Sequence, residues 1–187
     1  MANRTANYTA FYVAEPFNPS NLGAYATPDF VYYNMLRAWK EKDPSFPFVD
    51  AHAKTYSVRD GSDWEMTLKP RLHERLQASK NIILLLSSIT VNSRALREEI
   101  NYGIQTCGLP VIVIYPEYKM KSDISVSVGN VKPQISKLWD KLPAFRDNML
   151  SVPTVHIPMD RNLILNCLSD SRFQVNTIGP LGVYTIP

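Results

Sequence analysis

The sequence predicts an α/β protein built on a parallel sheet, and three observations carry that reading. Two short apolar runs, Ile82 to Leu86 and Pro110 to Tyr115, have the length and β-branched content of strands buried on both faces. A helical pattern lies between them, and strand, helix and strand make a βαβ unit with parallel strands. The same alternation of strand and helix continues on both sides of this unit.

The elements follow in order. Tyr8 to Ala14 (YTAFYVA) reads as the first strand, and Glu15 to Thr27 as a long loop rich in Pro, Asn and Gly. Thr27-Pro28-Asp29 then marks a helix start: a capping hydroxyl, Pro at the first helical position and an acid in the first turn. This helix runs to about Lys42, with Val31, Met35 and Trp39 as an apolar stripe at spacings of four. Phe46 to Val49 reads as a short second strand ending in Asp50-Ala51-His52, before a polar loop from Ala53 to Asp63. Trp64 to Ala78 has a helical pattern with Pro70 inside it, and Pro cannot donate the backbone hydrogen bond. Either Thr67 caps a new helix with Pro70 in its first turn, or the helix kinks. Leu68, Leu72 and Leu76 face the core in both cases.

Ser79 to Tyr115 supplies the third strand, the third helix and the fourth strand. Cys107-Gly108 fits a helix end with Gly as the left-handed cap. Glu117 to Lys132 is polar and reads as loop. Ile135 to Met149 is helix-like, interrupted by Pro143. Thr154 to Ile157 reads as the fifth strand and Arg161 to Leu168 as the last helix. The tail from Phe173 to Pro187 is left open between an edge strand and packed coil. Five parallel strands with helices on both faces give a three-layer, flavodoxin-like fold, with the strand order 2-1-3-4-5. Its switch point lies between strands one and three, so the loops after Ala14 and Leu86 should frame a ligand crevice.

The 187 residues suit one domain spanning 1–187, with a C-terminal extension from about 170. A net charge of +3, from 20 scattered basic and 17 acidic residues, gives no footprint for nucleic acid. The start, MANRTANYTAFYVAEP, lacks the apolar stretch of a signal peptide, and no apolar run reaches spanning length. Cys107 and Cys167 have no CxxC or metal-ligand neighbours, and a reducing, cytoplasmic location is expected.

The adjacent acids Glu98 and Glu99 lie in the first turns of the third helix. One residue apart is about 100° of rotation, so only one of the two can face the crevice. Ile100 and Ile104 should face the sheet; Glu99 borders that face and Glu98 points further toward solvent. On pattern alone, a solvated glutamate at a helix N-terminus comes ahead of a catalytic one. Ser87, Ser88, Thr90, Asn92 and Ser93 line the turn before this helix and suit phosphate or ribose hydroxyls, or else cap the helix through Asn92 or Ser93. Asp50 and His52 could form an acid/base pair; no third ligand at sensible spacing supports a metal. His73 and His156 read as structural. There is no Gly-x-Gly-x-x-Gly, no Walker loop and no Gly-x-Ser-x-Gly elbow. A receiver-type phosphoacceptor aspartate is also missing, because Ser87-Ser88 ends the third strand.

The succession FPFVDAH, LKPRLHERLQASKNIILLLSS, TVNSRALREEINYGI and LPVIVIYP resembles the bacterial TIR-like proteins, closest to the ThsB type of Thoeris antiphage defence. The similarity extends from Tyr8 to about Tyr118, and LWDKLPAFRDN and VPTVHIPM also look like this branch. The resemblance implies a cytoplasmic enzyme that cleaves the nicotinamide–ribose bond of NAD+, with NAD+ as substrate and no cofactor or metal. It implies an ADP-ribose-derived signal that activates an effector protein, a phage-derived trigger and possible homo-oligomers. The essential glutamate of the family lies on the third helix before an aliphatic residue, which here is Glu99 before Ile100. The accompanying substrate-binding candidates are Ala14, Phe17, Asp50, His52, Ser88 and Asn92. Two departures bear on the pocket. Ala95 stands where many relatives carry Trp, and the loop after the first strand reads Glu15-Pro16-Phe17-Asn18. Phe17, Tyr12 and Trp64 are the candidates to supply the missing aromatic surface. The competing readings are a non-catalytic TIR-like interaction platform and a nucleotide receptor without turnover.

Overall fold

A computed structural model describes residues 4–12, 28–53 and 63–186, with Pro28 and Asp29 described by their backbone alone. Its centre is a five-stranded parallel sheet in the order β1-β2-β3-β6-β7. The strands are β1 (Ala6–Ala10), β2 (Ser79–Leu85), β3 (Val111–Tyr115), β6 (Pro153–Pro158) and β7 (Gly182–Thr185). The second half of β2, from Ile82, and β3 up to Ile114 are unbroken Ile, Val and Leu because both their faces are covered. The helices are α1 (Pro28–Lys42), α2 (Lys69–Ala78), α3 (Arg94–Asn101), α4 (Lys121–Ile124), α5 (Pro133–Trp139), α6 (Pro143–Arg146) and α7 (Arg161–Ser169). Residues of α1 and α7 pack on one sheet face, against Ile83, Leu85, Ile112 and Ile114. Residues of α2, α3, α5 and α6 cover the other, against Ile82, Leu84, Val111 and Val113. No helix among the described residues is long and apolar enough to cross a membrane.

The α/β class and the central parallel sheet are as expected, and Thr154 to Ile157 is a strand, but the expected second strand and the order 2-1-3-4-5 are not found. Phe46 to Val49 forms no strand: it touches the sheet through one parallel bridge, Asp50 to Asn7 of β1. Pro47 removes a ladder donor from this segment. The Asn7 side chain takes over, its Oδ1 accepting from Val49 N at 2.7 Å while its Nδ2 donates to Asn81 Oδ1 at 2.7 Å. Tail residues fill the other edge, where β7 pairs parallel with β6. The first strand also ends earlier than expected, at Ala10, and Ala14 lies outside the described residues.

Other local expectations are revised by burial. In α1 the buried residues are Tyr33 and Leu36, while Val31 is 54% exposed; the stripe follows a spacing of three between two competing apolar rows. Pro70 lies in the first turn of α2, as the restart reading expects, but Thr67 does not cap that helix. A wide π-helical turn, Trp64–Leu68, capped by the Asp63 carboxylate rather than Thr67, runs directly into α2 and absorbs the missing donor. Leu72 and Leu76 are buried, whereas Leu68 on the wide turn is only half-buried. Pro133 and Pro143 each open a short helix, α5 and α6, where their fixed φ suits the first position. The segment expected as loop contains α4 and a hairpin of β4 (Ser125–Ser127) and β5 (Asn130–Val131). Gly129 turns this hairpin at φ +73, and its N–H donates to Thr185 Oγ1 of β7.

Candidate active site

The third helix is built to present one acid inward. Ser93 caps α3, its hydroxyl accepting from Leu96 N at 3.2 Å. Leu96, Ile100 and Ile104 then face the sheet at spacings of four and are essentially buried. The helix passes into a π turn, Tyr102–Thr106, whose end is capped by Gly108 at φ +63. Gly103 in that turn lies against β2 so closely that a Cβ would sit 2.4 Å from Ile82 Cδ1. A side chain here would require Ile82 to shift, so glycine suits this close approach of the turn to β2.

Glu99, one residue before Ile100, reaches toward β1 and α2. Its carboxylate accepts a hydrogen bond from the Tyr8 hydroxyl and lies in the field of the Arg75 guanidinium. Glu99 keeps part of its surface open, but withdrawal of the carboxyl from water pushes its pKa up to about 8, against the opposing pull of Tyr8 and Arg75. Tyr8 is itself buried, and burial together with the Glu99 charge raises its pKa, so the phenol stays a donor.

Glu98 is not the solvent-facing neighbour expected from the sequence. It accepts from His73 Nε2 at 2.7 Å and lies 3.8 Å from Lys69 Nζ, both on α2. His73 stacks on Tyr102 with centroids 3.5 Å apart. Glu98 thus ties α3 to α2 while Glu99 points into the site, and the separation of the pair stands.

His52 arrives from the segment that flanks β1. Its ring lies 4.8 Å from Tyr8 and 5.9 Å from Tyr33, centroid to centroid. Nε2 is 3.1 Å from the Thr9 carbonyl and Nδ1 is 3.2 Å from Arg75 Nη1. A guanidinium can only donate, so Nδ1 accepts and Nε2 carries the proton. Burial, reinforced by Arg75, holds the imidazole well below its ordinary pKa and therefore neutral, despite Asp50 and the Thr9 carbonyl. Asp50 does not pair with the His52 ring as an acid/base couple. Its carboxylate accepts from the His52 backbone N–H at 2.9 Å and from the Tyr33 hydroxyl at 2.7 Å. Arg37 lies 3.9 Å from the same carboxylate. Phe11 stacks on Tyr33 at 5.0 Å and Phe30 packs beside both, giving this edge of the sheet an aromatic wall.

The remaining candidates separate from this cluster. Ser88 is tied to the loop after β3, its backbone N–H donating to Glu117 Oε2 at 3.0 Å and its hydroxyl to the other carboxylate oxygen. Asn92 does not cap α3. Its Oδ1 is buried and has no hydrogen-bond partner among the described residues. Phe17, like Ala14, lies outside the described residues. Trp64 is half-buried with the Arg94 guanidinium 5.0 Å over its ring, beside the first turn of α3. Among the described residues no group of three or more His, Cys, Asp or Glu is placed to hold a metal ion. A cleft lined by Trp39, Lys42, Asp43 and Arg161 lies on the α1 and α7 side of the sheet, away from Glu99, and the Arg161–Asp43 ion pair bridges it at 2.6 Å.

Sequence reasoning missed Tyr8 and Arg75. Tyr8 reads as one more strand aromatic, and Arg75 as one of several charges on a helix. The available signal was positional: β1 alternates Tyr8 toward the α2 and α3 layer, and Arg75 is adjacent to the buried Leu76.

A half-buried glutamate on the third helix of a parallel α/β sheet thus lies beside a strand-one tyrosine. A family model described as the TIR-like domain of the Thoeris protein ThsB matches residues 8–121, which include most of β1, all of β2 and β3, and every residue of the Glu99 cluster. The chain belongs to the Thoeris ThsB family and carries its TIR-like domain.

Proposed function

We propose that this protein is an NAD+-consuming enzyme of antiphage defence, with Glu99 as its catalytic carboxylate. The observation that carries the reading is the Glu99 carboxyl, held on α3 between the Tyr8 hydroxyl and Arg75 in a chain of the ThsB family. The bond broken is the one between nicotinamide nitrogen and ribose C1′. The bonding pair leaves with the nicotinamide, which departs neutral and needs no general acid. The ribose is left as an oxocarbenium-like cation, as in glycoside hydrolysis. An ionised carboxylate beside the ribose stabilises that charge.

Glu99 is mostly protonated at neutral pH in the free protein. The cationic nicotinamide riboside favours its ionised form on binding, and the proton leaves to solvent. The Tyr8 hydroxyl then donates to the carboxylate and holds its orientation. The proposed substrate-binding set is His52 and Asp50 at the aromatic edge, with Ser88 and Asn92 in the turn before α3; Ala14 and Phe17, expected to join them, lie outside the described residues. Addition of water at C1′ gives ADP-ribose; an adenine nitrogen or a ribose hydroxyl gives a cyclic isomer, and a second small molecule gives a conjugate. Such a product would diffuse to a partner effector. The protein would act in the cytoplasm, as a single TIR-like domain with a C-terminal extension, on a phage-derived trigger.

The test is small-molecule mass spectrometry of infected cells carrying wild type or Glu99→Gln, with nicotinamide release followed from the purified proteins in infected-cell extract. Wild type should release nicotinamide and accumulate an ADP-ribose-derived product, and Glu99→Gln should do neither. Equal release by the two proteins would reject the assignment.

A further inference from the structure

We propose that His52 and Arg75 form a positioning pair for Glu99: the neutral imidazole of His52 holds the Arg75 guanidinium in place against the acidic side of the site. This goes beyond the catalytic role of Glu99 and rests on the reading that Glu99 works as a carboxylate.

The geometry has three parts. The imidazole is fixed at both nitrogens, with Nε2–H donating to the Thr9 carbonyl of β1 and Nδ1 accepting from Arg75 Nη1. The His52 backbone is fixed as well, because its N–H donates to Asp50 Oδ1 and the Asp50 carboxylate is braced by the Tyr33 hydroxyl. Arg75 in turn reaches the His52 ring from α2, and its charge acts on Tyr8, His52 and Glu99. A guanidinium has no acceptor and one fixed fork of donors, so an acceptor at Nδ1 selects its orientation. Protonation of His52 would remove that acceptor and set a second cation against the first. Burial among Tyr8, Phe11 and Tyr33 opposes it.

The titratable and charged groups facing the pair, among the described residues, are Tyr8 on β1, Tyr33 on α1, Asp50 beside His52 and Glu99 on α3. Arg37 reaches Asp50 from α1. Asp50 and Arg37 offset one another near His52, leaving Arg75 as the cation that acts on Glu99.

The experiment is a carbon-13 titration of the Glu99 carboxyl by NMR, without NAD+, in wild type, Arg75→Gln, His52→Phe and His52→Gln. The resonance is assigned by its loss in Glu99→Gln. An opposite charge lowers a carboxyl pKa by about 1–3, so removing it in Arg75→Gln should raise proton affinity about tenfold or more. His52→Phe should raise it in the same direction, and His52→Gln, which restores an amide acceptor, should return it toward wild type. A general loosening of the site would hydrate Glu99 and move its titration down, toward an ordinary carboxyl. A downward or absent shift in Arg75→Gln overturns the proposal, and so does identical behaviour of His52→Phe and His52→Gln. The titration does not involve NAD+. Normal titrations without nicotinamide release would therefore reject the proposed activity and leave the positioning pair standing.

Discussion

Replacing Glu99 by Gln should stabilise the folded protein increasingly as pH rises, even as it removes the proposed activity. The carboxyl has an ordinary pKa of 4.5 when exposed and is pushed up to about 8 by desolvation in the folded protein. Below pH 4.5 it is protonated in both states and contributes nothing to the balance. Between 4.5 and about 8 the folded state binds more protons than the unfolded one, so stability falls as pH rises. Above about 8 the full penalty applies. At 1.36 kcal/mol per pH unit the penalty reaches about 3 kcal/mol at pH 7 and about 5 kcal/mol above pH 8. Both are upper bounds, because the residue keeps part of its surface in water. Gln cannot ionise and still offers an oxygen to the Tyr8 hydroxyl. Urea unfolding of wild type and Glu99→Gln at pH 5, 7 and 9 measures the difference, and every other titrating group cancels from it. The stability gain of Glu99→Gln should be smallest at pH 5, below about 1 kcal/mol, and largest at pH 9. A gain independent of pH, or a variant less stable than wild type at pH 9, would refute the argument.

Three further outcomes are expected. The kcat/KM for nicotinamide release should rise with pH and level off near the Glu99 pKa of about 8, since this parameter reports the free enzyme; a falling profile over pH 6–8 would contradict a working carboxylate. His156 is buried beside Tyr115, with Nδ1 2.7 Å from its hydroxyl, and burial lowers its pKa from 6.5 to about 3. The unfolded state takes up this proton first, so stability is lost as pH falls from about 6.5 toward 3, and His156→Gln should flatten that acid limb in unfolding measurements. Gly103→Ala should cost about 1–3 kcal/mol through the clash with Ile82 Cδ1. Ile82→Val, which deletes that atom, should recover part of the loss in a double-mutant cycle by thermal unfolding.

Local periodicity carried much of the fold. The Ile, Val and Leu runs of β2 and β3 and the four-residue spacing of Leu96, Ile100 and Ile104 were readable because each depends on a few neighbouring residues. The left-handed Gly108 after Cys107 was readable for the same reason. Where local signals competed, long-range packing decided. Phe46 to Val49 alternates like a strand, yet Pro47 and the Asn7 side chain leave it one bridge. Glu117 reaches Ser88 from another loop, a contact that no local spacing encodes. Glu98 looked exposed until α2 brought His73 and Lys69 to it.

The sequence by itself determined the alternation of strands and helices, the parallel sheet that follows from it, and the family resemblance that singled out Glu99 before Ile100. Only the tertiary structure decided what surrounds that glutamate. Tyr8, His52, Arg75 and Glu99 come from four different elements, and no spacing along the chain encodes their meeting. The meeting is fixed by the register of β1 on β2, by the close approach that Gly103 allows, and by the bridge that brings Asp50 and His52 alongside β1. Desolvation at that junction changes Glu99 from an ordinary helix carboxylate into one that holds its proton to about pH 8.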